Sequence, residues 1–384
     1  MHTADYKVMK TITLLGGSNS IHKNGMYKFL NKKTKLFSFA LGASSSLQNL
    51  YELVRNREVI SQSDLVISES NVNDFHNYNM IGTSLNVIDK NIKRLYKHLA
   101  ACEVKVMVVL LPLQTKKFKD AEKINLIHVK YIEQFGLNYV DMHTYYKENE
   151  LGELLYFDNL DHPLDGVMYQ LAESIVNTID SMRLPSKIKD FTSYSVFKFS
   201  ESFDTRIKQN SLFCEAVFEV NNKYKLPPEL INKEIAGMHA WSDGNSVVKI
   251  QASGHKWARG TNSEVQFHDL NQPIIIEKDT YICKGQESEC TENSIRYPEK
   301  ATSPTHNPKV IALFLIDKDC KDKQVNEGKS TCYNSLLNFL LIEKDILTQY
   351  QQYKRSMGRF KKFIAAYRGN LVIELLFKIK NYIR

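Results

Sequence analysis

Four polar positions in the first half of this chain could together do acyl-transfer chemistry. Ser18 stands in Gly16-Gly17-Ser18-Asn19-Ser20, Gly42 in Leu41-Gly42-Ala43-Ser44, and Asn73 in the pair Asn73-Asp74. His162 closes the stretch Asp158-Asn159-Leu160-Asp161-His162-Pro163. Acyl transfer through serine needs a nucleophile, a base to take its proton, and donors for the oxyanion. Ser18 suits the nucleophile and His162 the base. The Gly42 and Ser18 backbone N–H groups and the Asn73 side chain suit the oxyanion hole. An amide works there because it donates a hydrogen bond without titrating.

The elements that must position these residues can be read from periodicity. Thr11–Leu15 is a short apolar run, read as a buried strand that ends in the Gly-Gly-Ser turn. Two glycines let the backbone bend and approach a neighbour closely. Leu36–Leu41, Asp64–Ser68, Val104–Leu111 and Leu137–Val140 read as further strands, with Val104–Leu111 the central one. Helical patterns cover Leu47–Val54, Ser84–Leu99, Asp120–Phe135 and Pro163–Met182, while Ile21–Lys35 reads as a loop rich in Lys and Asn. The serines before Leu47 suit a helix cap. Alternation of strand and helix implies a doubly wound, mostly parallel α/β sheet, whose ligands gather at the strands' carboxyl ends.

The four blocks, in this order, resemble the SGNH (GDSL) hydrolase superfamily over roughly residues 9–182. Gly16 to Ser20 matches its first block, Gly42 its second, Asn73-Asp74 its third, and Asp158 to Pro163 its last. The resemblance implies a flavodoxin-like α/β/α fold and serine-dependent ester chemistry. Two positions depart from the family pattern. Asn71 stands where the third block usually has glycine, and asparagine tolerates left-handed backbone angles better than most residues. Asn159 stands where the family has its aspartate. Asp158 is then the favoured orienter of His162 and Asp161 the alternative; a Ser–His dyad backed by a backbone carbonyl is a third arrangement.

Beyond about Lys187 the texture changes to Phe, Val, Ile, Thr and Gly with polar turns, which reads as a β-rich sandwich. The expected division is 1–184 for the catalytic domain, 187–328 for the β-rich domain and 330–384 for a helical tail. Trp241, Trp257 and Arg259 are expected on polar loops of the second domain. Indoles that stack on sugars and a guanidinium that binds anions suit substrate binding. His22, His76, His128 and His143 read as surface or packing residues. Six scattered cysteines make neither a disulfide framework nor a metal site, so no metal and no tightly bound cofactor is expected.

The chain has 384 residues and a net charge of +8. The stretch 351–384 holds nine basic residues against one acid, Glu374. It therefore carries the whole excess, unlike a nucleic-acid-binding surface spread over a domain. Phe360, Phe363, Ile364, Tyr367 and Leu371 recur at helical spacing there, as an interfacial membrane helix or an oligomer contact would require. No signal peptide or spanning stretch is evident, which points to the cytoplasm, with peripheral contact at the inner face of the membrane. The function expected first is an O-acetyltransferase. It would acylate a bacterial surface polysaccharide such as capsule, with acetyl-CoA as donor and a glycan, lipid-linked or free, as acceptor. A carbohydrate O-acetyl esterase is the alternative, and a non-catalytic glycan-binding scaffold the third reading.

Overall fold

The computed structural model describes residues 9–113, 120–151, 162–186, 188, 193–262, 264–293, 306–318, 329–342 and 344. Five strands open the chain: β1 (Thr11–Leu15), β2 (Lys35–Ser38), β3 (Leu65–Ser68), β4 (Lys105–Leu110) and β5 (Asn138–Asp141). They pair in parallel in the order β2-β1-β3-β4-β5. That is the flavodoxin-like order, and it reverses between β1 and β3, where such sheets keep their ligands. β4 is flanked on both edges, and every residue of it after Lys105 is buried. This is why Val104–Leu111 reads as an unbroken apolar run.

Among the described residues nine α-helices accompany these strands: α1 (Ser18–Ile21), α2 (Met26–Lys33), α3 (Ser46–Arg55), α4 (Arg57–Ile60), α5 (Asn71–His76), α6 (Leu85–Ala100), α7 (Ala121–Phe135), α8 (Met142–Glu148) and α9 (Asp165–Thr178). α3, α6 and α7 pack side by side, and α2 packs against α9, as the two layers of a doubly wound fold. The Ser45 side chain caps α3 by accepting from the Gln48 N–H. The lysine-rich stretch read as a loop contains α2. Met26, Phe29 and Leu30 form one buried stripe at helical spacing, and the lysines occupy the other face.

The second half of the chain is β-rich. β6 (Ser193–Lys198), β7 (Arg206–Gln209), β8 (Cys214–Glu219), β10 (Glu234–Trp241), β13 (Val265–Ile275) and β15 (Lys309–Lys318) make an antiparallel sheet in the order β13-β10-β15-β8-β7, with β6 also on β15. β9 (Tyr224–Lys225), β11 (Ser246–Ala252), β12 (His255–Thr261) and β14 (Tyr281–Lys284) make a second one, ordered β12-β11-β14-β9. Side chains alternate along β15. Leu313 and Leu315 join Val248, Ile250 and Ile282 of the facing sheet. Ala312, Phe314 and Ile316 join the core of the first domain. The larger sheet is therefore covered on both faces, and its strand reads as continuously apolar. The polar seam between the domains is specific: Tyr51 Oη lies 3.0 Å from His239 Nδ1, Arg55 pairs with Glu215 at 2.6 Å, and Asn77 Nδ2 donates to Asp269 at 3.1 Å.

Beyond residue 328 the described chain returns to the first sheet. β16 (Thr331–Cys332) adds in parallel to β5, and Tyr333 N donates to Tyr139 O at 2.8 Å. Asn334 then accepts from Asp141 N, and α10 (Phe339–Ile342) follows. The described start of the segment read as a helical tail is thus a two-residue strand on an open sheet edge, too short to show a period. The basic stretch 351–384 lies outside the described residues.

Candidate active site

The site lies over the carboxyl ends of β1 and β3. Phe39 N donates to Leu14 O and Leu41 N to Gly16 O, both at 2.9 Å, so the chain after β2 continues alongside the Gly16-Gly17-Ser18 turn. That ladder brings Gly42, itself buried, beside Gly16 and Gly17. Ser44 N closes the turn onto Leu41 O at 3.1 Å, with Ala43 in the left-handed region at φ 67°. A non-glycine residue held there costs roughly 1 kcal/mol or more, a strain that tends to collect at functional loops.

Both glycines of the turn are required by close approach. A Cβ on Gly17 would stand 2.1 Å from Asn73 Nδ2, and one on Gly16 would stand 2.3 Å from Ser20 Oγ. Ser18 follows as the first residue of α1, half-buried, with its Oγ 2.7 Å from His162 Nε2. This is hydrogen-bond range for a nucleophile and its base. Asn73 is buried in α5, and its Nδ2 has no hydrogen-bond partner. A buried amide donor left unpaired beside the Gly16-Gly17-Ser18 turn is placed to receive a negative oxygen.

Asn73 is rigidly held. Its neighbour Asp74 accepts from Ser46 N at 2.9 Å and from Ser46 Oγ at 2.6 Å, which ties α5 to the first turn of α3. Asn71 donates to Leu111 O at 2.8 Å and accepts from Leu111 N at 3.0 Å. Its backbone is helical and not in the left-handed region, so the tolerance expected of asparagine there is not used. Asn71 replaces a backbone turn with a side-chain clamp onto the end of β4.

Two parts of the site carry no sequence signature. Glu69, just past β3, is buried beneath the turn. Its carboxyl accepts from Gly17 N at 2.5 Å and from Ser20 Oγ at 2.9 Å, and its other oxygen is unpartnered. Burial pushes this carboxyl up to about 7, against the lowering effect of the Gly17 and Ser20 hydrogen bonds. Between the ordinary value of 4.5 and about 7 the folded chain holds a proton that the unfolded chain releases. Stability therefore falls as pH rises through that window, by on the order of 3 kcal/mol from this group. Glu69→Gln, which mimics the neutral form, is expected to gain in melting temperature relative to the parent between pH 5 and pH 8. A variant that loses ground at pH 8 would contradict the assignment.

The second part is His22. By sequence it reads as a surface or packing residue, but its ring stacks on His162 with centroids 4.7 Å apart, and its Nδ1 lies 3.0 Å from Asp165 Oδ1. Asp158 and Asp161, the two candidate orienters of His162, lie outside the described residues.

Trp241, Trp257 and Arg259 are not on polar loops. Trp241 ends β10 and Trp257 and Arg259 stand within β12, all three buried. Trp241 packs in the core shared with the first domain and Trp257 in the core between the two antiparallel sheets. Arg259 pairs with Glu292 at 2.7 Å. Ser242, Asp243 and Gly244 after Trp241 do form the turn between β10 and β11, whereas His255 and Lys256 before Trp257 are exposed strand residues of β12. Trp257 does border a cleft of about 480 Å³, together with Asn271 and Glu292. Among the described residues no group of three or more His, Cys, Asp or Glu side chains could hold a metal ion.

The structure thus places a Ser–His pair over β1 of a flavodoxin-like sheet with an asparagine amide beside it, the arrangement that the resemblance to the SGNH hydrolases implies. No family model and no curated protein matches the chain. Among solved structures it is similar to a lipase from a goat rumen metagenome, at 15% identity over 46% of this chain and 100% of that one, with a TM-score of 0.37. It is also similar to an acetylxylan esterase from Geobacillus stearothermophilus (12% identity, 44% of this chain, 94% of that one, TM-score 0.35). A third is the psychrotrophic esterase EstA from a Pseudoalteromonas species (16% identity, 45% and 97%, TM-score 0.36). At these identities the likenesses say nothing of substrate.

Proposed function

We propose that this protein performs serine-dependent acyl-ester chemistry, with Ser18 as the acyl carrier. The observation that supports it most is the 2.7 Å contact of Ser18 Oγ with His162 Nε2 beside the unpaired Asn73 amide. Ser18 gives its proton to His162 Nε2 as its oxygen attacks the ester carbonyl. The Asn73 amide and the Gly42 and Ser18 N–H groups receive the oxyanion. His162 then returns the proton to the leaving oxygen or thiol, leaving acyl-Ser18. A second hydroxyl, giving its proton to His162, attacks acyl-Ser18 and takes the acyl group as the bond to Ser18 Oγ breaks, and His162 returns the proton to Ser18 Oγ.

The finer reading is that the second hydroxyl belongs to a glycan: the protein is an O-acetyltransferase that takes acetyl from acetyl-CoA and places it on a surface polysaccharide such as capsule. The basic stretch 351–384 supports this, because such a segment would hold the enzyme at an anionic inner membrane face near a lipid-carried acceptor. No helix among the described residues is long and apolar enough to cross a membrane. Hydrolysis of carbohydrate O-acetyl esters uses the same residues with water as acceptor. Incubation with acetyl-CoA, with and without deacetylated glycan, separates the two: thiol release that requires the glycan supports transfer. Acetate release from acetylated glycan, with acetyl-CoA untouched, would make the protein an esterase.

The orienting carboxylate has its own test. Asp158→Asn should lower the turnover number by about 10²–10⁴ and Asp161→Asn by less than tenfold, because a carboxylate behind the base fixes its tautomer. The reverse order would assign the role to Asp161.

A further inference from the structure

His22 and Asp165 form a second histidine–carboxylate couple, placed directly against the base. His22 follows the last residue of α1, the short helix that begins with Ser18. Asp165 is the first residue of α9, three residues after His162. The two helical segments that carry the couple are therefore the ones that carry the nucleophile and lead from the base. The chain just after His22 is docked on α9: α2 packs against it, and a Cβ on Gly25 would meet Met168 Cβ at 3.3 Å and Asp165 Oδ1 at 3.6 Å. Asp165 is 7% exposed, and its Oδ1 lies 3.0 Å from His22 Nδ1. The His22 ring lies over the His162 ring at 4.7 Å with 25° between the planes.

We infer that His22, held by Asp165, is a positioning residue for His162. Its stacked ring supports the imidazolium that forms there when Ser18 gives up its proton. The inference rests on the acyl-transfer role of Ser18 and His162 set out above. In the tautomer that carries its proton on Nδ1, the His22 ring donates to the Asp165 carboxylate, and its π face is the more electron-rich for that bond. A cation over such a face is attracted to it. His162 is neutral in the resting enzyme and cationic while the tetrahedral intermediate exists. The contact is therefore stronger in the transition state than in the ground state, and its loss shows in kcat rather than KM. The stack also holds the His162 ring plane, so that Nε2 keeps facing Ser18 Oγ.

The test is steady-state hydrolysis of p-nitrophenyl acetate by the purified full chain. His22→Ala should lower kcat about three- to thirty-fold with little change in KM, the span of a cation–π contact. His22→Phe keeps an aromatic face and should recover most of that loss. Asp165→Asn, which weakens the hold on the ring without removing it, should fall between the two. A purely structural role would make Phe as damaging as Ala or move KM instead. The inference is overturned if His22→Ala and Asp165→Asn both stay within twofold of the parent, or if Phe gives no recovery. Ser18→Ala run in parallel keeps the two claims apart. An active Ser18→Ala removes the acyl-transfer reading itself. A dead Ser18→Ala beside unaffected His22 and Asp165 variants removes this inference alone.

Discussion

Ser18→Ala will lose at least about a thousand-fold in kcat toward p-nitrophenyl acetate while melting within a degree or two of the parent. The loss follows from geometry. Ser18 Oγ is the hydroxyl in contact with His162, and without it the base has no nucleophile to deprotonate. The near-constant stability follows from what holds the turn. Gly17 N and Ser20 Oγ bind Glu69, and Ser20 N binds Gly17 O at 3.1 Å, so the turn's hydrogen bonds do not pass through the Ser18 hydroxyl. A half-buried hydroxyl at the first position of a helix contributes little packing. Residual turnover would come from substrate binding and the oxyanion donors alone. Retention of more than about a tenth of the parent rate would mean that another group carries the acyl intermediate.

Asn73→Ala is the second large effect, a fall of roughly 10²–10³ in kcat with KM little changed. The Asn73 Nδ2 donor is buried and unpaired, and it lies against Gly17. A donor left in that state costs the folded chain about 1–3 kcal/mol, a cost that binding an oxyanion would offset. Its removal should therefore leave the melting temperature unchanged or raise it. That combination, lost turnover with retained stability, separates a poised oxyanion donor from a structural asparagine such as Asn71, whose side chain holds Leu111. Asn71→Ala leaves the Leu111 N–H and carbonyl unpaired and should destabilise the chain. A change in Asn73→Ala confined to KM, or a fall in melting temperature with kcat preserved, would move Asn73 out of the site.

Much of this arrangement is legible in the residues themselves, because each part has a local signature. An apolar run into Gly16-Gly17-Ser18 marks a strand that ends in a sharp turn, and the continuous run to Leu111 marks a strand buried on both faces. What escaped has no local signature. Glu69 is one acid in an otherwise ordinary strand end, and its burial under Gly17 is decided by how β1 and β3 align, Leu15 against Ser68. His22 and His162 are far apart in the chain and meet where α2, just after His22, docks on α9. α2 is masked by lysine and asparagine on its solvent face. The tryptophans show the opposite error. Polar neighbours such as Ser242, Asp243 and Lys256 suggested loops, yet Trp241 Nε1 donates to Asp243 at 3.2 Å from a buried strand end.

The claim that Ser18 is the acyl-carrying residue is tested most directly by covalent capture. The full chain is treated with a fluorophosphonate, its intact mass is measured, and the modified peptide is sequenced. A single adduct is expected on Ser18. It should be absent from Ser18→Ala and should form far more slowly in His162→Ala, because the hydroxyl then lacks its base. An unmodified parent chain, or an adduct that persists on another serine in Ser18→Ala, would contradict the account.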